Sequence, residues 1–260
     1  MQSKRITPGE SISLFVKDIQ VFENNTKNGS TVLSFFADGY PGIMYQQTAN
    51  GLFVSPQNKL MPSFFLYGQT IHPVELKMEG SYCLIAFLLY PFLLNSFFNL
   101  QAKDLNDDCF DLLNLPQFET KETVNQLNNE TETGKRVELI TAFLYSIFLA
   151  KKEMLDYKIR QSIQLIINTN GNLPVREVIK ALNIPERTFE RRFITQVGVS
   201  PKQFSQIIKF QLSLNQLKNR NYNKLTDVVY NYGFADQSHF IRVFKAFTGT
   251  TPHKFITPVP

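Results

Sequence analysis

Two segments near the C-terminal end combine phenylalanines at helical spacing with arginines that would face outward. In the predicted helix 187–197, Phe189 and Phe193 lie one turn apart, so the helix buries this side and exposes the other. Phe240 and Phe244 have the same spacing in a second predicted helix. The side chains on the outer faces are Arg187, Glu190 and Arg191 in the first helix, and Gln237, Ser238, Ile241 and Arg242 in the second. A helix that packs on one side and is basic and polar on the other can enter the major groove of DNA.

The two helices are parts of an internal repeat. Six positions of the first unit recur 51 residues later, which is improbable by chance and indicates a duplicated structure. The pairs are Phe189 and Phe240, Arg191 and Arg242, Phe193 and Phe244, Gly198 and Gly249, Pro201 and Pro252, and Phe204 and Phe255. A shorter predicted helix precedes each copy, so the repeat predicts two helix-turn-helix units.

Asparagine and glycine separate the helices of each unit. Residues 173–182 and 225–232 are the predicted first helices, and they end at Asn183 and Gly233, residue types that adopt the left-handed conformation readily. Residues 204–219 form a predicted helix between the units. A rigid connector of this kind would hold the second helices of the two units about one DNA turn, ~34 Å, apart.

Charge is divided unevenly along the chain. Residues 1–150 contain 10 Lys and Arg against 15 Asp and Glu, a net charge of −5, whereas residues 151–260 contain 17 against 7, a net charge of +10. A basic half joined to an acidic half indicates that the basic half faces a polyanion. On charge alone, an uneven distribution of solvated surface groups remains an alternative.

Both helix-turn-helix segments resemble a known family. Residues 233–255, GFADQSHFIRVFKAFTGTTPHKF, resemble the signature of the AraC/XylS family of bacterial transcription regulators, and residues 182–204, LNIPERTFERRFITQVGVSPKQF, resemble the family's first helix-turn-helix. The resemblance covers about residues 156–256. It implies a seven-helix domain with two units in successive major-groove segments. The family often adds an N-terminal barrel that binds an effector or mediates dimerisation, and the first half of this chain resembles such domains weakly.

The resemblance also assigns roles to individual positions. The family's base-reading positions correspond to Arg187, Glu190, Arg191, Gln237, Ser238, Ile241 and Arg242. Most of these residue types suit base recognition, since Arg binds guanine, Gln binds adenine, Glu accepts from cytosine and Ile contacts the thymine methyl. The candidate phosphate contacts are Lys202, Lys209, Lys245 and Lys254.

Four positions depart from the family pattern. Ile179 and Val229 replace the small residue in the first helix of each unit, which predicts a slightly different helix spacing. Pro185 replaces the usual serine N-cap and supplies no cap. An exposed Glu190 would repel phosphate unless a base donor meets it. The departures therefore affect the contacts of the first unit rather than the fold.

The first hundred residues have the pattern of short strands. Apolar pieces separated by Gly, Pro and Asn turns predict a small sandwich or barrel. The predicted strands are residues 11–16, 31–36, 42–45, 64–67 and 82–89. The apolar run 82–94 contains Pro91 and is too short to cross a membrane, so we interpret it as core, a strand that leads into a second element.

Helical patterns follow the strands. Residues 118–135 are polar and predict a weak helix and a loop. Residues 136–152 form an amphipathic helix that either covers its own domain, which we favour, or pairs with a second copy of the chain.

Candidates for other chemistry are few. His72, His239 and His253 are the only histidines, and His72 is alone in its half, so we interpret it as structural or hydrogen-bonding rather than as a metal ligand. Cys83 lies in an apolar run, which raises the pKa of a thiol, and the chain has no CxxC pair. We expect no enzyme, no cofactor and no metal site, and a cytoplasmic location with no membrane segment.

Together the patterns predict an α+β chain of two domains. A β-rich barrel or sandwich with trailing helices covers residues 1–152, and an all-α domain with two helix-turn-helix motifs covers residues 153–260. Double-stranded DNA is the expected partner, and RNA polymerase, a small-molecule effector and a second copy of the chain are further candidates. Two rival hypotheses stay open: an enzyme within residues 1–117 carried by a targeting module, and a protein-interaction domain that binds DNA without sequence specificity.

Overall fold

The computed structural model describes residues 2–115 and 120–257. Within them, an antiparallel β-sheet domain is followed by a helical domain with two helix-turn-helix units, which confirms the predicted α+β architecture. Residues 118 and 119, where the predicted polar segment begins, lie outside the described residues. No helix in the described ranges combines the length and the apolar character that a bilayer span needs.

The strands of the described residues form two antiparallel sheets. They are β1 (Gln2–Ile6), β2 (Val16–Asn24), β3 (Ser30–Phe35), β4 (Gly42–Thr48), β5 (Leu52–Ser55), β6 (Lys59–Leu60), β7 (Phe64–Tyr67), β8 (Val74–Glu79), β9 (Tyr82–Leu89) and β10 (Cys109–Asp111). The larger sheet has the order β1-β2-β9-β4-β7-β10, and the smaller one has the order β3-β8-β5-β6. The sheets pack face to face, and the described strands do not close into a barrel, so the sandwich is the correct one of the two predicted alternatives.

Strand β9 lies inside the six-stranded sheet and is buried on both faces, which explains its continuous apolar sequence. Leu84, Ala86 and Leu88 pack with the smaller sheet, and the residues between them pack with the helices. The interpretation of residues 82–94 as core is confirmed, because helix α1 (Leu93–Phe98) follows the strand after a short break.

The prediction of a strand at residues 11–16 is wrong, because this segment is mainly a turn and only its last residue begins a strand. The amide of Val16 donates a hydrogen bond of 2.8 Å to the carbonyl of Ile12, as in one turn of a helix. Ile12 and Phe15, three residues apart, are both buried. So short an apolar piece does not distinguish the period of a strand from that of a helix.

Two longer helices, α2 (Thr120–Asn129) and α3 (Thr133–Lys151), complete the N-terminal domain. Phe143 of α3 packs edge-on against Phe64 of β7, with 5.5 Å between the ring centroids. The apolar side of α3 is therefore used within its own domain, as we favoured. The polar segment predicted as a weak helix and a loop contains the ten-residue helix α2.

Seven helices follow between residues 157 and 256, the number that the resemblance implies. They are α4 (Tyr157–Asn168), α5 (Val175–Leu182), α6 (Glu186–Val197), α7 (Pro201–Lys218), α8 (Leu225–Asn231), α9 (Gln237–Thr248) and α10 (Pro252–Ile256). The connector α7 begins at Pro201, before its predicted start at residue 204. The reason is local: the Ser200 hydroxyl accepts a hydrogen bond from the amide of Gln203, and proline suits the first turn of a helix.

One buried apolar cluster runs through both domains. In the N-terminal domain it fills the space between the six-stranded sheet and helices α1 to α3, and in the C-terminal domain it surrounds α7. The C-terminal domain therefore packs directly on the β-sheet domain, with α6 against α1.

Candidate nucleic-acid interface

The first helix-turn-helix unit consists of α5 and α6. Helix α5 ends at Asn183, whose φ of 49° lies in the left-handed region expected for this stop. Phe189 and Phe193 of α6 are fully buried, with 5.6 Å between their ring centroids. Pro185 occupies the N-cap position of α6 without a side-chain cap, as predicted.

The outer face of α6 presents Arg187, Glu190 and Arg191 to solvent. The next arginine, Arg192, turns inward and binds the carboxylate of Asp156 through two hydrogen bonds of 2.8 and 2.6 Å. Asp156 is also the N-cap of α4. The two neighbouring arginines therefore differ in role: Arg192 stabilises the packing of α6 on α4, whereas Arg191 remains available to a partner.

The second unit consists of α8 and α9, with Gly233 in the turn at a φ of 66°. Asp236 caps α9, because its Oδ1 accepts a hydrogen bond of 2.7 Å from the amide of His239. Phe240 and Phe244 are buried like their counterparts in the first unit. On the opposite face, Gln237, Ser238 and Arg242 are exposed and Ile241 is half-buried. Three of these four side chains share one shallow groove, which is lined by Ser238, Ile241, Arg242, Lys245 and Ala246.

Helix α7 joins the two units and packs on both. Phe204 meets Phe193 of the first unit with ring centroids 5.8 Å apart. Phe210 meets Phe244 and Phe247 of the second unit at 5.5 and 5.0 Å. The connector has 18 residues. A helix of that number of residues is about 27 Å long, which is comparable with one turn of DNA, ~34 Å.

Three of the four lysines predicted to contact phosphate are exposed: Lys202, Lys245 and Lys254. The fourth, Lys209, is half-buried and donates a hydrogen bond of 2.9 Å from Nζ to the carbonyl of Gly233. Burial lowers the pKa of Lys209. This side chain therefore ties α7 to the turn of the second unit, and its contact with phosphate stays a prediction.

The exposed cations of the two units are not paired with an acidic side chain among the described residues. In the part of the chain that the structure describes, no ion pair engages Arg187, Arg191, Lys202, Arg242, Lys245 or Lys254. Cations that are not compensated within the protein favour the binding of a polyanion.

The helices of the C-terminal domain also coincide with a known domain. Residues 178–257 match the family model described as a helix-turn-helix domain, a range that begins in α5 and ends just after α10. The C-terminal part of the chain therefore carries a helix-turn-helix domain, in agreement with the duplicated motif.

Residues 4–111 match a family model described as a domain of unknown function (DUF6597). No curated protein matches the sequence.

Solved structures show a distant likeness along most of the chain. ToxT from Vibrio cholerae aligns at 15% identity with a TM-score of 0.47, covering 92% of this chain and 97% of that chain. A structure of ToxT from Vibrio cholerae strain SCE256 with bound unsaturated fatty acid aligns at 15% identity with a TM-score of 0.47, covering 92% and 94%. The AraC-like transcriptional activator CuxR aligns at 13% identity with a TM-score of 0.31, covering 82% and 86%.

The β-sandwich contains a cavity of about 380 Å³ between its two sheets. Its walls are mostly apolar and include Met44, Met61, Phe65, Leu76 and Leu88. A cavity of this size and character suits a small molecule.

The charged side chains of the cavity wall are Asp38, Lys59, Asp107 and Asp108. Asp107 accepts hydrogen bonds from the backbone amides of Ile71 and His72 and lies 2.7 Å from Nδ1 of the His72 ring. This contact confirms the interpretation of His72 as a hydrogen-bonding residue. In the described residues, no group of three or more His, Cys, Asp or Glu side chains is arranged to hold a metal ion.

Asp38 has the most unusual environment of these four. Its Oδ1 accepts a hydrogen bond of 2.9 Å from the amide of Tyr40. Burial raises the pKa of Asp38 from 3.8 to about 7, so the side chain changes charge near neutral pH. Burial also raises the pKa of Tyr67, whose ring lines the same cavity, and the nearby Asp38 carboxylate adds to that increase.

The loop that carries Asp38 also contacts the C-terminal domain. The side-chain amide of Gln211 in α7 donates a hydrogen bond to the carbonyl of Ala37. Gly39 lies so close to α7 that a Cβ atom at this position would be 3.2 Å from the ring of Phe204. The loop therefore has the cavity on one side and the connector helix on the other.

A second part of the cavity wall contacts the first unit. Asn106, which lines the cavity, donates a hydrogen bond of 2.8 Å from Nδ2 to the carbonyl of Gly198, the residue that ends α6. Close by, the hydroxyl of Ser96 in α1 lies 3.2 Å from Oε1 of Gln196. The C-terminal end of α6 is thus docked on the β-sheet domain, while Arg187, Glu190 and Arg191 nearer its N-terminal end stay exposed.

Sequence analysis did not single out Asp38, Asn106 or Gln211. Asp38 precedes Gly39, and Asp-Gly is a common turn dipeptide, so its carboxylate is indistinguishable from that of an ordinary turn residue. Asn106 and Gln211 acquire their contacts only when the domains pack together. The sequence signal that could have indicated Asp38 is an acidic side chain at the edge of an apolar strand pattern. This pattern alone does not distinguish a cavity residue from an ordinary turn residue.

Proposed function

We propose that this protein is a transcription regulator of the AraC/XylS family and that it recognises a specific DNA sequence, with α6 and α9 in successive major-groove segments. The observation that carries the proposal is the duplicated helix whose phenylalanines are buried while its arginines are exposed. Arg191 and Arg242 occupy the same position in the two copies, and both face solvent. The length of α7 supports the spacing, because it approaches the distance between adjacent major-groove faces.

The side chains on the two helices suit different base pairs. Arg187, Arg191 and Arg242 can bind O6 and N7 of guanine, and Gln237 can bind N6 and N7 of adenine. Glu190 can accept a hydrogen bond from N4 of cytosine, and this contact would offset its repulsion from phosphate. Ile241 offers an apolar surface to a thymine methyl group, and Ser238 can bind several bases.

The lysines would fix the position of the protein without selecting the sequence. Lys202, Lys245 and Lys254 are exposed and can donate hydrogen bonds to phosphate oxygens. The protons of the Lys209 ammonium group that are not bound to the carbonyl of Gly233 can also be donated to phosphate. The net charge of +10 on residues 151–260 would supply the sequence-independent part of the affinity.

The cavity of the sandwich supports a second part of the proposal, in which the N-terminal domain binds a small-molecule effector. The cavity is apolar with a few polar groups, as ligand sites usually are. Two segments of its wall, at Asp38 and at Asn106, also contact the DNA-binding domain. A ligand that moved either segment would change how the two helix-turn-helix units are held.

The decisive experiment is selection of binding sites from random double-stranded DNA by the full-length protein. We expect one enriched sequence with two half-sites about one helical turn apart. In fluorescence anisotropy on that site, Arg191→Ala and Arg242→Ala should each weaken binding by about 1–3 kcal/mol and relax the preference at one base pair.

A matched control is Arg176→Ala, because Arg176 is exposed on α5, the first helix of its unit. This variant should keep the wild-type base preferences. Equal loss of affinity for all sequences in the Arg191 and Arg242 variants would contradict base reading by these arginines. The absence of any enriched sequence would favour the rival hypothesis of DNA binding without specificity.

A further inference from the structure

The cavity of the N-terminal domain contains one carboxylate that no cation compensates. Among the described residues, no Lys, Arg or His side chain forms an ion pair with Asp38. Its carboxylate accepts a hydrogen bond from the backbone amide of Tyr40. A carboxylate in apolar surroundings is costly unless a donor or a positive charge reaches it.

The lysine of the cavity is already engaged elsewhere. Nζ of Lys59 lies 2.6 Å from Oδ1 of Asp108, and this hydrogen bond raises the pKa of Lys59. Asp107 is likewise satisfied, by two backbone amides and the ring of His72. Asp38 is therefore the charged group of the wall that is left for a ligand.

We propose that the cavity binds a small organic amine, whose ammonium group pairs with Asp38 and whose apolar body lies between the two sheets. The inference deepens the proposed sensing role and rests on it. The apolar walls at Met44, Phe65 and Leu88 would bury the body of the ligand. The ring of Tyr67 lines the cavity near Asp38 and offers a second attraction for a cation.

A carboxylate ligand fits the same walls less well. An anionic head near Asp38 would meet a like charge in a medium of low dielectric constant, where repulsion is strong. To bind at Lys59 instead, it would have to displace Asp108 from a 2.6 Å ion pair. A neutral alcohol would avoid the repulsion but would leave the negative charge of Asp38 without a counter-charge.

Binding at Asp38 would act next to the connector helix. The preceding residue, Ala37, accepts a hydrogen bond from Gln211, and the following residue, Gly39, packs against Phe204. Both partners belong to α7, which holds the two helix-turn-helix units. An amine on Asp38 is therefore positioned to alter the arrangement of these units.

The test compares three ligands with the same alkyl chain, octylamine, octanol and octanoate, by isothermal titration calorimetry on the full-length protein below their micelle concentrations. We expect octylamine to bind at least about tenfold more tightly than octanoate, with octanol between them. The affinity for octylamine should rise close to tenfold between about pH 6 and pH 8, because Asp38 ionises over this range while an alkyl ammonium stays charged.

The matched variants are Asp38→Asn and Asp104→Asn. Both remove one negative charge, but Asp104 is exposed and lies outside the cavity wall. Asp38→Asn should lose the preference for octylamine and its pH dependence while it keeps its affinity for octanol, and Asp104→Asn should behave like the wild-type protein. If the Asp38→Asn variant does not fold, the pH profile of the wild-type protein decides.

Tighter binding of octanoate than of octylamine, equal binding of octylamine and octanol, or an affinity for octylamine that does not depend on pH would overturn the proposal. These outcomes are independent of DNA recognition. If the protein selects a specific DNA site but does not bind the amine, the proposal of DNA recognition stands and the amine proposal fails. If it binds the amine at Asp38 but selects no DNA site, the amine proposal stands and the proposal of DNA recognition fails.

Discussion

The side-chain amide of Asn106 donates a hydrogen bond of 2.8 Å to the carbonyl of Gly198. The first residue lines the cavity between the sheets, and the second ends the helix that carries Arg191. A single side chain therefore joins the candidate ligand site to the candidate DNA-reading helix. The amide oxygen of Asn106, Oδ1, is buried and has no hydrogen-bond partner among the described residues, so the contact is held by one bond and by close packing.

Substitution of Gly198 tests this domain contact. Gly198 has a φ of 86°, and a Cβ atom would lie 2.8 Å from Oδ1 of Asn106 and 2.9 Å from the carbonyl oxygen of Ala102. Gly198→Ala should therefore destabilise the protein by about 2 kcal/mol or more, through backbone strain and displacement of the β-sheet domain. The change is measured by denaturant unfolding.

Gly249→Ala is the internal control, because Gly249 occupies the same position in the second unit with a φ of 75°. Its Cβ atom would make an ordinary contact of 3.7 Å with Pro73. This variant should show the backbone strain alone, about 1 kcal/mol. Equal losses at the two glycines would mean that the packing at Asn106 contributes nothing to stability.

The pair of neighbouring arginines on α6 allows stability to be separated from recognition. Arg192 makes two short hydrogen bonds to Asp156, whose side chain is mostly buried, whereas Arg191 is exposed. Arg192→Ala should lower the free energy of unfolding by about 1–3 kcal/mol. Arg191→Ala should leave it within about 0.5 kcal/mol of the wild-type value.

A double-mutant cycle completes this test. If the two side chains interact as the distances indicate, Arg192→Ala combined with Asp156→Ala should show a coupling of about 1 kcal/mol in thermal or denaturant unfolding. Asp156→Ala alone should also lose the N-cap of α4. Additive effects of the two substitutions would show that the ion pair is not a source of stability.

The helical domain was predictable because its signals are local. The stop at Asn183, the cap at Asp236 and the paired phenylalanines of each unit depend on residues a few positions apart. Helix caps and stops of this kind depend little on the rest of the fold, so the spacing of these residues alone locates the helices to within a few residues. The main error, the start of α7, arose because Ser200 and Pro201 were not recognised as a cap and a first turn.

The β-sheet domain was less predictable because its contacts are distant in sequence. Strands β5 and β8 carry mixed polar and apolar residues, and neither was among the predicted strands. Each pairs with a partner strand at least twenty residues away. Whether the sheets close into a barrel depends on pairing of the edge strands, which no local pattern encodes.

The candidate site likewise has one part that the sequence predicts and one part that it does not. The exposed faces of α6 and α9 follow from helical periodicity, and the structure exposes most of the positions expected there. The cavity and its link to α7 depend on the packing of two domains. No spacing within residues 36–40 could have indicated that Asp38 faces a cavity while its neighbours contact Gln211 and Phe204.

Asp38 should make the stability of the protein dependent on pH. Its pKa is about 7 in the folded chain against an ordinary value of 3.8, so the folded protein binds more protons between these values than the unfolded chain. Stability is therefore fully present below about pH 4, falls as the pH rises, and levels off above about pH 7. The full effect is on the order of 4 kcal/mol, since one pKa unit corresponds to about 1.4 kcal/mol.

Asp38→Asn removes this dependence, because an amide does not titrate. The difference in unfolding free energy between the variant and the wild-type protein should grow in favour of the variant from about pH 5 to pH 8. Denaturant unfolding at several pH values measures it. A constant difference across this range would show that Asp38 titrates normally in the folded state.

The four candidate phosphate lysines should differ in what they contribute. Lys202, Lys245 and Lys254 are exposed, so replacing each with Met should reduce the dependence of DNA affinity on salt by about one unit of slope, measured between roughly 50 and 200 mM salt. Base preferences should stay unchanged, because phosphate contacts do not report sequence. A variant with an altered preferred sequence would place that lysine at a base edge instead.

Lys209→Met should behave differently from these three. Nζ of Lys209 holds the carbonyl of Gly233 at 2.9 Å, so the variant should also lower the free energy of unfolding by about 1 kcal/mol. The turn before α9 would lose its tie to α7, and the loss of DNA affinity should then exceed that of Lys202→Met at high salt, where phosphate contacts matter least. An unfolding free energy equal to that of the wild-type protein, together with a reduced salt slope, would show that Lys209 acts on phosphate alone.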